Sequence, residues 1–378
     1  MIREEIGYSY NDVTIIPAEI SEVGSRSECN PFYRDNDLPI FAAPMSSVIS
    51  EENYQDFIDE GVTPVIPRSV PLNERVTMLL NGIWTAVSLQ EFIDLFIEDE
   101  SDYYETIITG VKYNVCVDIA NGHMLRLYDI CERAKRESIA RGYELVIMTG
   151  NIANAETYNY ICWCNKTMQE ELGINTVDYI RCGIGAGSGC ITASNVSTFY
   201  PMASLIDKVK CVKDNEHIKN NEDYAPLIIA DGGIRNYSDV IKALALGADY
   251  VMIGSLFAKC VESCGKKIRR FDEFGSYYEY NNNEEAIEDF NNGVKMMTKF
   301  YGMASAAGQN AISGTKTKTA EGITKYVDVE FKLSKWCENM AAYIRSAMSY
   351  CNCFTLEEFI GNVDLIVNSI SAINSVNK

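Results

Sequence analysis

The stretch "PLIIADGGIRNYSDVIKALALGADYVMIGSLFA" (226–258) decides the fold. It begins with a short run of branched apolar residues, PLIIA (226–230), that stops at Asp-Gly-Gly. A second run, DYVMIG (249–254), follows after YSDVIKALALGA (237–248), where apolar residues recur at helical spacing and Gly247 stands at the end. Two apolar strands joined by one amphipathic helix read as a parallel strand-helix-strand unit, with both faces of each strand buried.

Six further runs of this kind lie upstream: LPIFAA (38–43), TPVI (63–66), WTAVS (84–88), YNVCVDI (113–119), ELVIMT (144–149) and DYIRC (178–182). Helix-like segments such as EENYQDFIDEG (51–61) and MLRLYDICERAKRESIARG (124–142) fall between them. Eight strand-helix units in about 250 residues fit an α/β fold of the (β/α)₈ TIM-barrel type. The alternative is an open doubly wound sheet, which carries G-x-G-x-x-G after its first strand. Here the first strand runs into PMSSVIS (44–50), and the glycine-rich RCGIGAGSGCIT (181–192) follows the sixth strand without matching that spacing.

Composition bounds the function. The chain has 378 residues, 47% hydrophobic, enough for a large core. It has no basic-then-apolar leader at its start and nothing near the roughly 18 consecutive apolar residues of a membrane span, so the expectation is a soluble, cytoplasmic protein without a membrane partner. The thirteen cysteines are scattered through apolar runs without paired spacing, which suits reduced thiols. With 33 basic against 53 acidic residues, a net charge of −20, nucleic acid polymers are excluded as partners. A small phosphorylated ligand is compatible, because glycine-rich backbone and helix N-termini hold phosphate without surplus Lys or Arg.

In a barrel the working groups stand at the carboxyl ends of strands, with phosphate held after strands seven and eight. Those ends carry Met45-Ser46-Ser47, Asp118, Gly150-Asn151, the glycine loop with Cys190, Asp231-Gly232-Gly233 and Gly254-Ser255. The glycine loop by itself reads three ways: a phosphate cradle, a nucleophile's seat, or a linker with an inert cysteine. Two segments interrupt the repeat. Residues 266–297 are polar, aromatic and long for a loop, and 305–322 are small and polar, the composition of an active-site loop.

Taken in order, YSYNDVTIIP (8–17), SRSEC (25–29), FAAPM (41–45), DIANGH (118–123), GNIAN (150–154), GIGAGSGCIT (183–192), 226–258 and FYGM (300–303) resemble the IMP dehydrogenase and GMP reductase family. The resemblance implies a single barrel domain over 1–378, with no inserted regulatory (CBS-type) module because the 85–118 stretch has no room for one. It implies a homotetramer and a purine nucleotide ligand, GMP or IMP. By position Cys190 resembles the family's nucleophile, which forms a covalent thioimidate at carbon 2 of the purine, and Thr192 and Glu321 resemble the pair that handles protons for a departing amine. Asp231 resembles the ribose-binding aspartate. Ser188, Gly232, Gly233, Gly254, Ser255 and Tyr301 match groups around the 5′-phosphate, and Gly302 and Met303 match the segment that reads the purine edge. Asp118, Asn151, Gly183 and Gly185 match the nicotinamide side, with NADPH as the implied cofactor. The same resemblance suggests K⁺ as a candidate monovalent cation at Gly185, Gly187 and Cys190.

Between the two reactions the sequence leans to the reductase. The dehydrogenases use an Arg-Tyr pair on a long flap to activate water, and neither residue type occurs in 304–320. SRSEC and CIT sit closer to bacterial-type GMP reductases. The expectation is therefore NADPH-dependent reductive deamination of GMP to IMP and ammonia. The alternatives are an IMP dehydrogenase producing XMP with NAD, or an inactive nucleotide-binding barrel. Met45-Ser46-Ser47, Ala186 and Ala193 depart from the family's usual residues.

Overall fold

The computed structural model describes residues 5–34, 36–215, 224–270, 276–313 and 322–376. Eight parallel strands are present: β1 (Ile40–Ala42), β2 (Thr63–Pro64), β3 (Thr85–Val87), β4 (Lys112–Asp118), β5 (Glu144–Ile152), β6 (Tyr179–Cys182), β7 (Leu227–Asp231) and β8 (Tyr250–Ile253). Their order in the sheet is β2-β1-β8-β7-β6-β5-β4-β3. Its two ends meet where Ile66 bridges Thr85 in parallel, the Ile66 amide donating to Trp84 O at 2.9 Å and the Ala86 amide to Ile66 O at 2.8 Å. The sheet thus closes on itself as a (β/α)₈ barrel.

Each of the eight apolar runs became a strand, its ends shifted by at most three residues. Local chemistry sets the helices between them. Ser88 caps Leu89–Phe96 in a reciprocal box: its hydroxyl accepts from the Glu91 amide at 3.2 Å and its own amide donates to the Glu91 carboxylate at 2.7 Å. Gly142 and Gly173 stop Leu125–Arg141 and Ala155–Leu172 in the left-handed conformation that glycine adopts without steric cost. β3 and β4 are joined by 88–111, which holds one helix and one short 3-10 turn and no inserted module.

The described residues of 266–297 are structured rather than a loop, and the 305–322 stretch, read as an active-site loop, begins with a helix, Ala306–Ser313. Segment 266–297 supplies β9 (Lys267–Arg270), β10 (Tyr277–Glu279) and the helix Asn283–Asn291, and β9 and β10 join β11 (Met297–Tyr301) and β12 (Thr324–Asp328) in an antiparallel sheet of order β10-β9-β11-β12. This sheet stands between β8 and the barrel's last helix, Leu333–Tyr350, and with that helix's neighbours encloses a small core of Val261, Tyr280, Ala286, Met296 and Val329. All thirteen cysteines are free thiols. No helix among the described residues is long and apolar enough to cross a membrane.

Aromatic side chains fill the barrel near the starts of its strands. Phe41 packs edge-on against Trp84, Tyr179 and Tyr250 with ring centroids 5.8, 6.1 and 5.2 Å away, and Trp84 meets Tyr179 at 5.2 Å. Phe41 is 2% exposed, so truncating it leaves a cavity that four strands cannot close. Phe41→Ala is expected to lower unfolding stability by about 3–5 kcal/mol, read from urea titration; a loss under about 1 kcal/mol would mean that the floor repacks.

Candidate functional site

The carboxyl ends of the strands open onto one cavity of about 1070 Å³, large enough for more than one nucleotide-sized ligand. Its wall includes Cys190, Ser188, Asp231, Gly232, Gly233, Gly254, Ser255, Gly302, Met303, Asp118, Asn151, Gly183, Gly185 and Gly187. Residues drawn from five strand ends and the 300–303 segment thus converge on one cavity. Thr192 and Tyr301 are next to the wall: Thr192 contacts Cys190, and Tyr301 lies between the wall residues Phe300 and Gly302, its carbonyl accepting from Ser47 Oγ at 3.4 Å. Glu321 lies outside the described residues.

A charge network lies under the cavity. Arg181, on β6 and only 7% exposed, reaches Asp118 Oδ1 through Nη1 at 2.8 Å and Asp231 Oδ2 through Nε at 2.9 Å and Nη2 at 2.8 Å. Asn151 Nδ2 donates to the same Asp231 oxygen at 2.8 Å and to Gly183 O at 2.8 Å. Three donors therefore converge on Oδ2 of Asp231. Burial alone would lower the pKa of the Arg181 guanidinium, but the Asp231 and Asp118 carboxylates outweigh burial and hold it well above its ordinary range, so the group stays cationic. Arg68 adds a second cation, its Nη1 donating to the Asp118 carbonyl at 3.3 Å and lying 4.0 Å from the Asp118 carboxylate, while its Nε is buried without a hydrogen-bond partner.

Sequence reasoning passed over both arginines. Arg181 was visible as the one charge inside an otherwise apolar run, DYIRC, and a charge in a strand buried on both faces requires a partner. Arg68 follows the second strand as Asp118 follows the fourth, a signal of position alone.

Cys190 is half-buried and is the one cysteine among the described residues on the cavity wall. Its amide donates to Gly187 O at 3.0 Å, and its thiol sulfur lies 3.1 Å from Thr192 Oγ1. Burial pushes other thiols such as Cys116 and Cys264 up to about 12, which leaves them protonated and inert at neutral pH. Cys190 pairs across with Gly322 as an isolated antiparallel bridge, and the Ile323 amide donates to Gly189 O at 3.0 Å. The Cys190 loop is therefore seamed to the chain directly after Glu321. At Gly183, with φ at +140°, any side chain would collide with the Asp231 carbonyl, so two strand ends approach each other there without side chains between them. The departures at Ser46 and Ser47 are structural: Ser46 Oγ meets Met303 Sδ at 3.5 Å, and both serines brace the 301–303 segment.

The family model for the IMP dehydrogenase / GMP reductase domain matches residues 97–377. The chain belongs to the IMP dehydrogenase / GMP reductase family. A GMP reductase of Shewanella halifaxensis is 30% identical over 372 residues, covering 94% of this chain and 93% of that protein. One of Vibrio parahaemolyticus is 26% identical over 373 residues with the same shares. One of Onchocerca volvulus is 30% identical over 254 residues, covering 67% of this chain and 57% of that protein. Both activities in the family's name are oxidoreductions, and this chain is an oxidoreductase of that kind.

The network makes a stability prediction. Removing buried Arg181 leaves the half-buried Asp118 and Asp231 without their shared cation, so Arg181→Leu is expected to cost about 3–5 kcal/mol. Chemical unfolding reads this directly, and unchanged stability would mean that Arg68 and Asn151 suffice.

Proposed function

We propose that the protein is a GMP reductase, converting GMP to IMP and ammonia with NADPH as reductant. The observation that carries the reading is the Cys190 thiol on the cavity wall, 3.1 Å from the Thr192 hydroxyl, on a loop seamed to Gly322. The relatives named GMP reductase along nearly the whole chain support it.

In this reading Cys190 Sγ adds to carbon 2 of the purine, Thr192 and Glu321 deliver a proton to the exocyclic amine, and the C–N bond breaks with loss of ammonia, leaving a thioimidate. A positioned hydroxyl and carboxylate suit this role because ammonia leaves only after its nitrogen is protonated. NADPH, when bound, supplies the hydride that reduces carbon 2. The C–S bond then breaks and returns the electron pair to Cys190, giving IMP. Asp231, with Oδ2 occupied by Arg181 and Asn151, presents Oδ1 to the ribose hydroxyls. Gly232, Gly233, Gly254, Ser255 and Ser188 offer amides and hydroxyls to the 5′-phosphate, which reconciles an anionic ligand with an acidic chain.

The residues present fit a second polar ligand: Asp118, Asn151 and Gly183 share one side of the cavity, and the buried Arg68 Nε beside them has a hydrogen to donate. A K⁺ ion would rest on the loop carbonyls around Gly185, Gly187 and Cys190, since no cluster of three or more His, Cys, Asp or Glu side chains that could hold a metal occurs among the described residues. The homotetramer, the single-domain boundary over 1–378 and a cytoplasmic location belong to this reading as carried over from the resemblance.

The deciding assay follows absorbance of the reduced cofactor with GMP plus NADPH, and separately with IMP plus NAD. Consumption in the first mixture is expected; steady XMP production in the second without activity in the first would replace the reductase with the dehydrogenase. Cys190→Ala is expected to abolish turnover while GMP still binds, and comparable activity in that variant would remove the covalent mechanism. Glu321→Gln is expected to slow GMP reduction by about 10²–10⁴-fold, the usual loss of one general acid or base. Single-turnover hydride transfer from IMP to the oxidised cofactor involves no ammonia and should change far less, so equal slowing of both would assign Glu321 another role.

A further inference from the structure

The helix Ala306–Ser313 borders the cavity, yet the mechanism above gives it no task. Of its eight residues only Gln309 and Ile312 belong to the wall. Positions three apart share one helix face, so the cavity meets the side chains of that face and not the helix backbone. Gln309 is half-buried, and its Nε2 donates to Ala304 O at 3.2 Å. Ala304 is itself a wall residue, next in the chain to Met303. The far end of the Gln309 side chain is thereby tied to the lining of the site.

Glycines bring this helix close to Cys190. A side-chain carbon placed on Gly308 would lie 2.6 Å from the carbonyl oxygens of both Gly302 and Met303, so the helix rests directly on that backbone. One placed on Gly302 would lie 2.7 Å from Gly189 O, so the 302–303 backbone rests in turn on the residue before Cys190. Ser305, 1% exposed, locks the entry to the helix: its amide donates to Gly302 O at 2.9 Å, its hydroxyl accepts from the Gly308 amide at 3.1 Å, and its carbonyl accepts from the Gln309 amide at 2.9 Å. Close backbone contacts therefore lead from the cysteine loop to Gln309 without a side chain between them. A purine whose carbon 2 meets Cys190 Sγ has its six-membered ring in this part of the cavity.

A carboxamide carries two donor hydrogens and an acceptor oxygen in one plane. The six-membered ring of GMP or IMP offers the complementary pair on one edge, an N1–H donor beside the 6-oxo acceptor. Asn and Gln read nucleobase edges through two-point contacts of this kind. We propose that the Gln309 carboxamide reads the N1–H and 6-oxo edge and so selects 6-oxopurine nucleotides. This rests on the nucleotide-site reading above. The bond to Ala304 O uses one hydrogen of Nε2 and sets the plane of the group; the second hydrogen would bond the 6-oxo oxygen, and Oε1 would accept from N1–H.

The test uses Gln309→Met, which keeps the length of the side chain and removes the carboxamide. It is paired with two nucleotides that differ at the edge in question: GMP, and 2-aminopurine ribonucleoside 5′-monophosphate, which lacks both the 6-oxo group and the N1 hydrogen. By calorimetry the wild type should bind GMP about 10-fold or more tighter than the analogue. In the variant GMP should weaken about 5- to 10-fold while the analogue changes little, so the preference shrinks. The KM for GMP should rise by a similar factor, with kcat changing less. Equal weakening of both nucleotides would mean that Gln309 only braces the Ala304 turn, and the assignment falls. A higher KM for NADPH with GMP unaffected would place the carboxamide on the cofactor and also overturn it. Gln309→Glu provides a second variant of the same shape whose carboxylate can only accept; it should lose at least as much GMP affinity, and unchanged affinity would count against the proposal. If the wild type binds neither GMP nor IMP, the nucleotide-site reading itself has failed, a result distinguishable from failure of Gln309 alone.

Discussion

One guanidinium holds the working end of this barrel in register. Arg181 rises from the middle of a strand buried on both faces and grips carboxylates from two other strands, Asp118 of β4 and Asp231 of β7. Two acidic groups that close would repel each other in the absence of a cation, and the low-dielectric interior magnifies that repulsion. With Arg181 between them they become fixed landmarks. Asn151 completes the arrangement by occupying the same oxygen of Asp231 that Arg181 holds, which orients the carboxylate's other oxygen.

Around this fixed point the chain spends side chains sparingly. The ends of β6 and β7 approach so closely at Gly183 that no side chain fits, and the neighbouring glycines leave backbone amides as the lining of the wall. An acidic protein can therefore present a surface congenial to phosphate, because the donors are peptide groups and hydroxyls whose polarity does not enter the net charge. Positive side chains are used where geometry demands them: Arg181 under the floor of the site, Arg68 beside Asp118.

The strands were legible because strands buried on both faces must be apolar throughout, and a run such as PLIIA between turn residues has few other readings. The fold's rule that strand ends carry function pointed to Asp118, Asn151, Cys190 and Asp231 before any distance was known, and all four line the cavity. Segment 266–297 was not legible as structure. Its strands, KIRR and YYE, are short and contain no apolar run, and β9 pairs with β11 while β11 pairs with β12, partners set by long-range contact. Arg181 was hidden for the opposite reason: it sits within a convincing strand, and only its two partners from distant strands explain it.

The seam between Cys190 and Gly322 has a consequence for how this barrel tolerates change. The Gly302 amide donates to Ile323 O at 3.2 Å, so the segment that leaves the wall after Gly302 returns to the same spot. Its two feet stand together on the Cys190 loop. For a chain tethered this way, the entropy of closure grows only with the logarithm of contour length, each doubling adding about 0.6 kcal/mol. Residues inserted into or deleted from the tip change the reach of the loop while leaving its feet, and hence the sulfur, where they are. Length variation here is thermodynamically inexpensive, so one scaffold can carry tips of different length over an unaltered cysteine.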